Sequence, residues 1–285
     1  MTHSQTIACI DGSELSTAVC DAAAWASLKM QTALVLLHTL EKSANPETDN
    51  LSGSIGLGSR ELLLSELTEL DEQRSQLALK HGRAMLETAE ERAIEDGVED
   101  IQLRQRHGDV LESLLDLENE ARLIVIGRSG EGHLPDVHII GSHAESAARS
   151  LHQPLLITVG QFTAPKHFMI AYDGRETARN AMQKIAASPL LKGIQCSLVM
   201  VGTDNDEQRG KLTEAEQILQ QEGFSVSSEI LQGDIYSALK TYQEQHAIDL
   251  IAMGAYSHSK TREFFVGSTT TRMITGSEVP LLIIR

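Results

Sequence analysis

The chain has 285 residues, long enough for two domains of ordinary size, each with its own core. A formal net charge of −16 excludes a role that depends on neutralising nucleic acid or anionic lipid, although a local basic loop can still hold one small anion. Cys9, Cys20 and Cys196 are an odd set without C-x-x-C spacing, so reduced, packed thiols in a cytoplasmic protein are expected rather than disulfides or a zinc knuckle.

The opening segment MTHSQTIACIDGS has no basic region ahead of a long apolar stretch, and no run of about 18 apolar residues occurs, so neither a secretory signal nor a membrane span is expected. The first predicted element is a short apolar strand from Thr6 that ends in Asp11-Gly12. An Ala-rich amphipathic stretch over 14–30 then predicts a helix, with Trp25 on its core face.

Residues 41–97 read differently. A polar stretch from Asn45 to Gly58 leads into a Leu/Glu/Gln/Arg-rich run, helical from about Arg60 to Asp96. Within the polar part, Gly53-Ser-Ile-Gly56-Leu-Gly58 lacks the strand–loop–helix setting of a dinucleotide loop and reads as a flexible loop. Unbroken, the helical run would reach about 55 Å, too long for a compact domain with a radius of gyration of about 15 Å. It must therefore bend, with Gly82 the natural place, or project from the body. Leu63, Leu67, Leu70 and Leu77 form an apolar stripe that needs cover. The plainer expectation is that it folds back over its own chain; the sharper one is an arm that docks a second chain to give a homodimer.

Next in order, Gly108-Asp109 opens another helix, with Asp109 as N-cap. Arg122-Leu-Ile-Val-Ile-Gly127 is a continuous apolar run of the kind found in buried parallel strands. The following loop carries Gly127, Gly130, Gly141 and Ser142, together with Glu131, Pro135 and Asp136. Its histidines and the next ones, His133, His138, His143 and His152, suit no single helical face, so surface histidines are expected rather than a zinc site. Pro154-Leu-Leu-Ile begins a last strand, and Gly160 to Pro165 interrupts the pattern.

The whole series then recurs. Phe168-Met-Ile-Ala-Tyr-Asp173-Gly174-Arg175 repeats the first strand and turn, and Gly233-Asp234 repeats the cap. Asp249-Leu-Ile-Ala-Met-Gly254 repeats the buried strand, Gly267-Ser268 repeats Gly141-Ser142, and Pro280-Leu-Leu-Ile repeats the last strand. Gly141 to Pro154 and Gly267 to Pro280 are both 13 residues, whereas the first copy carries 37 extra residues between its turn Asp and its cap Asp. Five ordered landmarks at near-equal intervals establish an internal repeat.

Each copy reads β-α-β-α-β-α-β-α-β. The expected fold is α/β: two tandem Rossmann-like domains, each an open five-stranded parallel sheet with helices on both faces. The expected domains are 1–160, with an inserted helical segment at about 41–97, and 166–285. In such sheets ligands sit beyond the carboxyl ends of the strands where strand order reverses, so the Asp-Gly turn and the Gly-rich loop should meet there. In the second copy that loop runs from Gly254 to Thr270. It offers Gly267, Ser268 and Thr269 at a helix N-terminus as an anion site, with Lys260 and Arg262 to offset charge.

These residues resemble the universal stress protein family. Its ATP-binding members carry Gly-x2-Gly-x9-Gly-Ser/Thr after the fourth strand and an Asp at the end of the first. Gly254, Gly267 and Ser268 match at that spacing, Ser257 stands where the second Gly belongs, and Asp173 matches the strand-one Asp. The first copy matches with Asp11, Gly127, Gly130, Gly141 and Ser142, but with ten intervening residues instead of nine and with acids in its loop. The resemblance covers nearly the whole chain apart from the insertion. It implies a cytoplasmic stress-response sensor or regulator that binds ATP or AMP, with or without Mg2+, in the second copy. It also implies a pseudo-dimer within the chain and an unidentified protein partner.

The alternative is a nucleotide-free interaction scaffold with vestigial pockets. No residue is assigned a catalytic or metal-binding role, and slow ATP hydrolysis is the most that an enzymatic reading supports. No P-loop, no Gly-x-Ser-x-Gly elbow and no adenylating signature is present.

Overall fold

In the computed structural model, which describes residues 4–40, 57–129, 142–254 and 268–285, strand and helix alternate along the chain. The first half contains β1 (Gln5–Cys9), α1 (Ser16–Met30), β2 (Ala33–Leu40), α2 (Leu57–Glu95), β3 (Ile101–His107), α3 (Val110–Leu117), β4 (Ala121–Gly127), α4 (Ser142–Ser150) and β5 (Leu155–Thr158). The second half repeats the order with β6 (His167–Ala171), α5 (Glu176–Ala187), β7 (Gln195–Val201), α6 (Asp206–Gln221), β8 (Val226–Leu231), α7 (Ile235–Gln245), β9 (Leu250–Gly254), α8 (Ser268–Gly276) and β10 (Leu281–Ile284).

The apolar runs pair as buried parallel strands, β1 lying between β2 and β4, and β6 between β7 and β9. Side chains alternate across the pleat, so each strand feeds two cores. Ala8, Leu34 and Leu36 face α1 and α2 together with Ala22, Ala26 and Leu86, while Ile7, Val35 and Leu37 join Leu114 and Ala147 under α3 and α4. The second half does the same with α5 and α6 on one face and α7 and α8 on the other. This is the expected doubly covered α/β architecture, twice over.

The join between the halves was not legible in the sequence. β5 and β10 pair antiparallel, with Leu156 opposite Leu282, so the two five-stranded sheets fuse into one ten-stranded sheet of order β3-β2-β1-β4-β5-β10-β9-β6-β7-β8. Two arginines strap the junction. Arg128 Nη1 donates to the carbonyls of Thr275 (3.3 Å) and Ser277 (2.6 Å) at the end of α8, and Arg285 donates to the carbonyls of Arg149 and Leu151 at the end of α4. Each cation thus meets the negative end of a helix in the other half. Trp25 is half-buried and packs on Phe162 of the connecting segment, 5.6 Å between ring centroids.

The long insertion departs from the simplest expectation. α2 is one continuous helix across Gly82, so the glycine is not a break. Gly82 instead lets the helix approach the sheet: a Cβ there would run into Gln105 and His38. His38 is buried and its Nδ1 lies 2.7 Å from the Ile10 carbonyl. Beyond that point Leu86, Ala89 and Ala93 are buried, at the same spacing as Leu212, Ala215 and Leu219 on α6. Much of the insertion therefore lengthens α2 at its N-terminal end: it has 39 residues against 16 in α6. Of the leucine stripe, Leu70 is 49% and Leu77 68% exposed and so not covered by the chain, Leu67 is half-buried, and the side chain of Leu63 lies outside the described residues.

Candidate functional site

In both halves strand order reverses beside the first strand of the half, between β1 and β4 and between β6 and β9. The two Asp-Gly turns stand at the carboxyl ends of β1 and β6. Gly12 and Gly174 have φ of +78° and +73°, a left-handed turn that disfavours a side chain. The turns share this backbone and differ in what surrounds it.

In the first half the turn is filled from within. Ser16 Oγ donates to Asp11 Oδ1 at 2.9 Å and accepts from the amides of Gly12 (3.0 Å) and Asp11 (3.3 Å). Asp11 Oδ1 also accepts from the Ser13 amide at 3.0 Å. Met85 of α2 closes over the top, its sulfur 2.5 Å from where a Cβ on Gly12 would stand. Cys9, just before the turn, is pushed up to about 12 by burial and then by Asp11, so it stays a thiol and supplies no nucleophile.

The second half fills its turn differently. Ala178 occupies the place of Ser16 and has no hydroxyl to offer the turn amides. Asp173 is exposed; its Oδ1 accepts from the Arg175 amide at 2.9 Å and its Oδ2 lies 3.7 Å from Arg175 Nε. Where Met85 covers the first turn, Lys211 of α6 lies over Gly174, its Cδ 2.9 Å from a Cβ position, with its ammonium on Glu207 at 2.6 Å. Thus the second turn carries Arg175 and Lys211, each beside an acid, where the first has Ser13 and Met85.

Gly127 and Gly254 close β4 and β9 at the same end of the sheet. A Cβ on Gly254 would meet the backbone of Thr177 and Ala178 at 3.2 Å, so α5 can lie this close only against glycine. At Gly127 the neighbour is the Leu15 side chain, 3.1 Å away. α8 begins at Ser268 and α4 at Ser142, and each helix start leaves amides without an intrahelical partner. Thr269, next along α8, is half-buried. Ser257, Gly267, Gly130 and Gly141 lie outside the described residues, as do Lys260, Arg262, Glu131 and His133.

Two further polar groups were not singled out from sequence. Gln208 Oε1, against Gly202 at the end of β7, and Thr271 Oγ1, in the second turn's worth of α8 counted from Ser268, are buried with no hydrogen-bond partner among the described residues. Neither carries a motif, so only the fold could have drawn attention to them. The capping residues are as expected. Asp109 accepts from the Glu112 amide at 3.0 Å, and Asp234 from the Ser237 amide at 3.1 Å. Asp234 also binds Arg272 of α8 at 3.0 Å, which is the leading reason its carboxyl is held down to about 2. Among the described residues no group of His, Cys, Asp and Glu is arranged to hold a metal, and no helix is long and apolar enough to cross a membrane.

The sequence profile of the universal stress protein family matches residues 4–158 and 200–285. Universal stress protein Slr1230 of Synechocystis sp. is 33% identical over 287 residues, covering 97% of this chain and 98% of that protein. Among solved structures, a universal stress protein from Archaeoglobus fulgidus superposes with a TM-score of 0.68 at 17% identity, covering 100% of this chain and 99% of that one. A universal stress protein from Pseudomonas aeruginosa gives a TM-score of 0.62 at 15% identity, covering 98% and 92%.

Proposed function

The chain belongs to the universal stress protein family, and on that basis we propose that it is a cytoplasmic stress-response regulator that binds ATP or AMP in its second half. The observation that carries the proposal is the turn at Asp173-Gly174: an exposed carboxylate beside the reversal point of strand order, with no Ser16-like hydroxyl in its amides and a lysine stem where Met85 lies over the first turn. In this reading Asp173 orients the adenosine part. Gly254 lets the backbone come close, and Ser257, Gly267, Ser268 and Thr269 hold the phosphates at the start of α8, with or without Mg2+. Arg175 and Lys211 offset phosphate charge. The orphaned Gln208 Oε1 suits a ligand that brings a hydrogen-bond donor, such as an exocyclic amine.

The same reading divides the chain into 1–160 and 166–285 and treats the first site, Asp11 with Gly127, Gly130, Gly141 and Ser142, as vestigial. Titration calorimetry of ATP and AMP, with and without magnesium, tests it; heat that saturates at one nucleotide per chain is expected. Its rival is a nucleotide-free scaffold, favoured by Ser257 in place of glycine and by the filled first turn. Nucleotide released on denaturing freshly purified protein, read by mass spectrometry, separates the two.

A further inference from the structure

We propose that the free part of α2 is a self-association arm, pairing antiparallel with the same helix of a second copy of this chain. The starting point is an uncovered apolar side: Leu70 and Leu77, two turns apart on one face, are 49% and 68% exposed, although the helix that carries them is continuous with the packed part beginning at Gly82. Helices draw most of their stability from packing of an apolar face, and among the described residues nothing buries Leu70 or Leu77.

Charge identifies the occupant. Glu66, Glu69, Asp71 and Glu72 are all exposed around Leu70, with no basic residue among them. From Gln73 to Leu86 the charges reverse, with Arg74, Lys80 and Arg83 and no acid. A parallel pair would set acid on acid and base on base. An antiparallel pair with its two-fold axis between Gln73 and Arg74 sets Leu70 against the partner copy's Leu77, and the acidic stretch 66–72 against its stretch 75–81, which carries Lys80 and no acid.

The existing ion pairs do not compete strongly. Arg74 with Asp71 (4.0 Å) and Arg83 with Glu87 (2.9 Å) are exposed pairs within the helix, and such pairs are weak. Lys80, Glu66, Glu69 and Glu72 have no partner among the described residues. The root of the arm is fixed by the close seat of Gly82 on His38 and Gln105, so the arm points in a defined direction.

The experiment is mass by light scattering and sedimentation on the full chain, with folding of every variant checked by circular dichroism. Wild type is expected to be a dimer. The all-basic arm (Glu66→Lys, Glu69→Lys, Glu72→Lys) and the all-acidic arm (Arg74→Glu, Lys80→Glu, Arg83→Glu) are each expected to be monomers alone and to form a one-to-one dimer when mixed. Leu70→Asp with Leu77→Asp is expected to stay monomeric in every mixture. A wild-type monomer at tens of micromolar, a dimer untouched by either charge reversal, or a mixture that remains monomeric overturns the proposal.

Discussion

The two Asp-Gly turns have the same backbone, sit at the same point of the same sheet order, and face opposite ways chemically. In the first half Ser16 satisfies the turn amides and Met85 caps them. In the second half Ala178 offers the turn amides no hydroxyl, and the stem of Lys211, its ammonium on Glu207, lies where Met85 caps the first turn. The difference teaches that a duplicated fold can keep its scaffold while one copy closes its crevice with its own side chains. The closure comes from the element that was lengthened, because Met85 belongs to α2.

The most severe way to break the comparison is Gly267→Val, which fills the space assigned to phosphate. Nucleotide binding by calorimetry should vanish, since each lost charge-assisted bond costs on the order of 1.5–3 kcal/mol. A folded variant with unchanged affinity removes the second-half site. Next in size, Asp173→Ala should weaken binding about tenfold or more, while Asp11→Ala leaves it unchanged. Equal losses at the two positions would mean that both turns, or neither, touch the ligand.

A milder test copies one turn into the other. Ala178→Ser supplies the hydroxyl that Ser16 provides in the first half and should lower affinity a few-fold, by about 1 kcal/mol, as it competes for the turn amides. An affinity that stays level shows that those amides are not used.

The smallest effects concern the caps. Asp109→Ala should cost about 1 kcal/mol of stability by urea denaturation, as expected for a lost N-cap. Asp234 has the same cap bond and Arg272 besides, where the first half has Ser146. Its carboxyl is held at about 2, below the roughly 3.9 of an unfolded aspartate. Its contribution is therefore complete above pH 4 or so and is lost as pH falls toward 2. Asp234→Ala should flatten the fall in stability across that window; a variant whose stability falls as steeply as that of wild type would contradict the assignment.

Much of this was legible in the sequence because it rests on local chemistry. Apolar runs, Asp-Gly turns and capping aspartates each report their own neighbourhood, and their recurrence gave the tandem α/β fold. The fusion of the two sheets was not legible, since Leu155–Thr158 and Leu281–Ile284 read as ordinary buried strands whichever strand lies beside them. Gly82 misled for a related reason. Glycine in a helix reads as a weak point, whereas here it is a point of close approach to His38 and Gln105. The filling of the first turn by Ser16 and Met85 could not be read either, because Met85 is remote in sequence from the turn it covers.

The central claim, that the two crevices differ and only the second takes nucleotide, is tested most directly by the stoichiometry of ATP binding to the intact chain. Calorimetry on wild type and on Asp173→Ala reads it. The account expects one nucleotide per chain for wild type and a loss of that single site in the variant. Two nucleotides per chain, or one that survives Asp173→Ala undiminished, contradicts it.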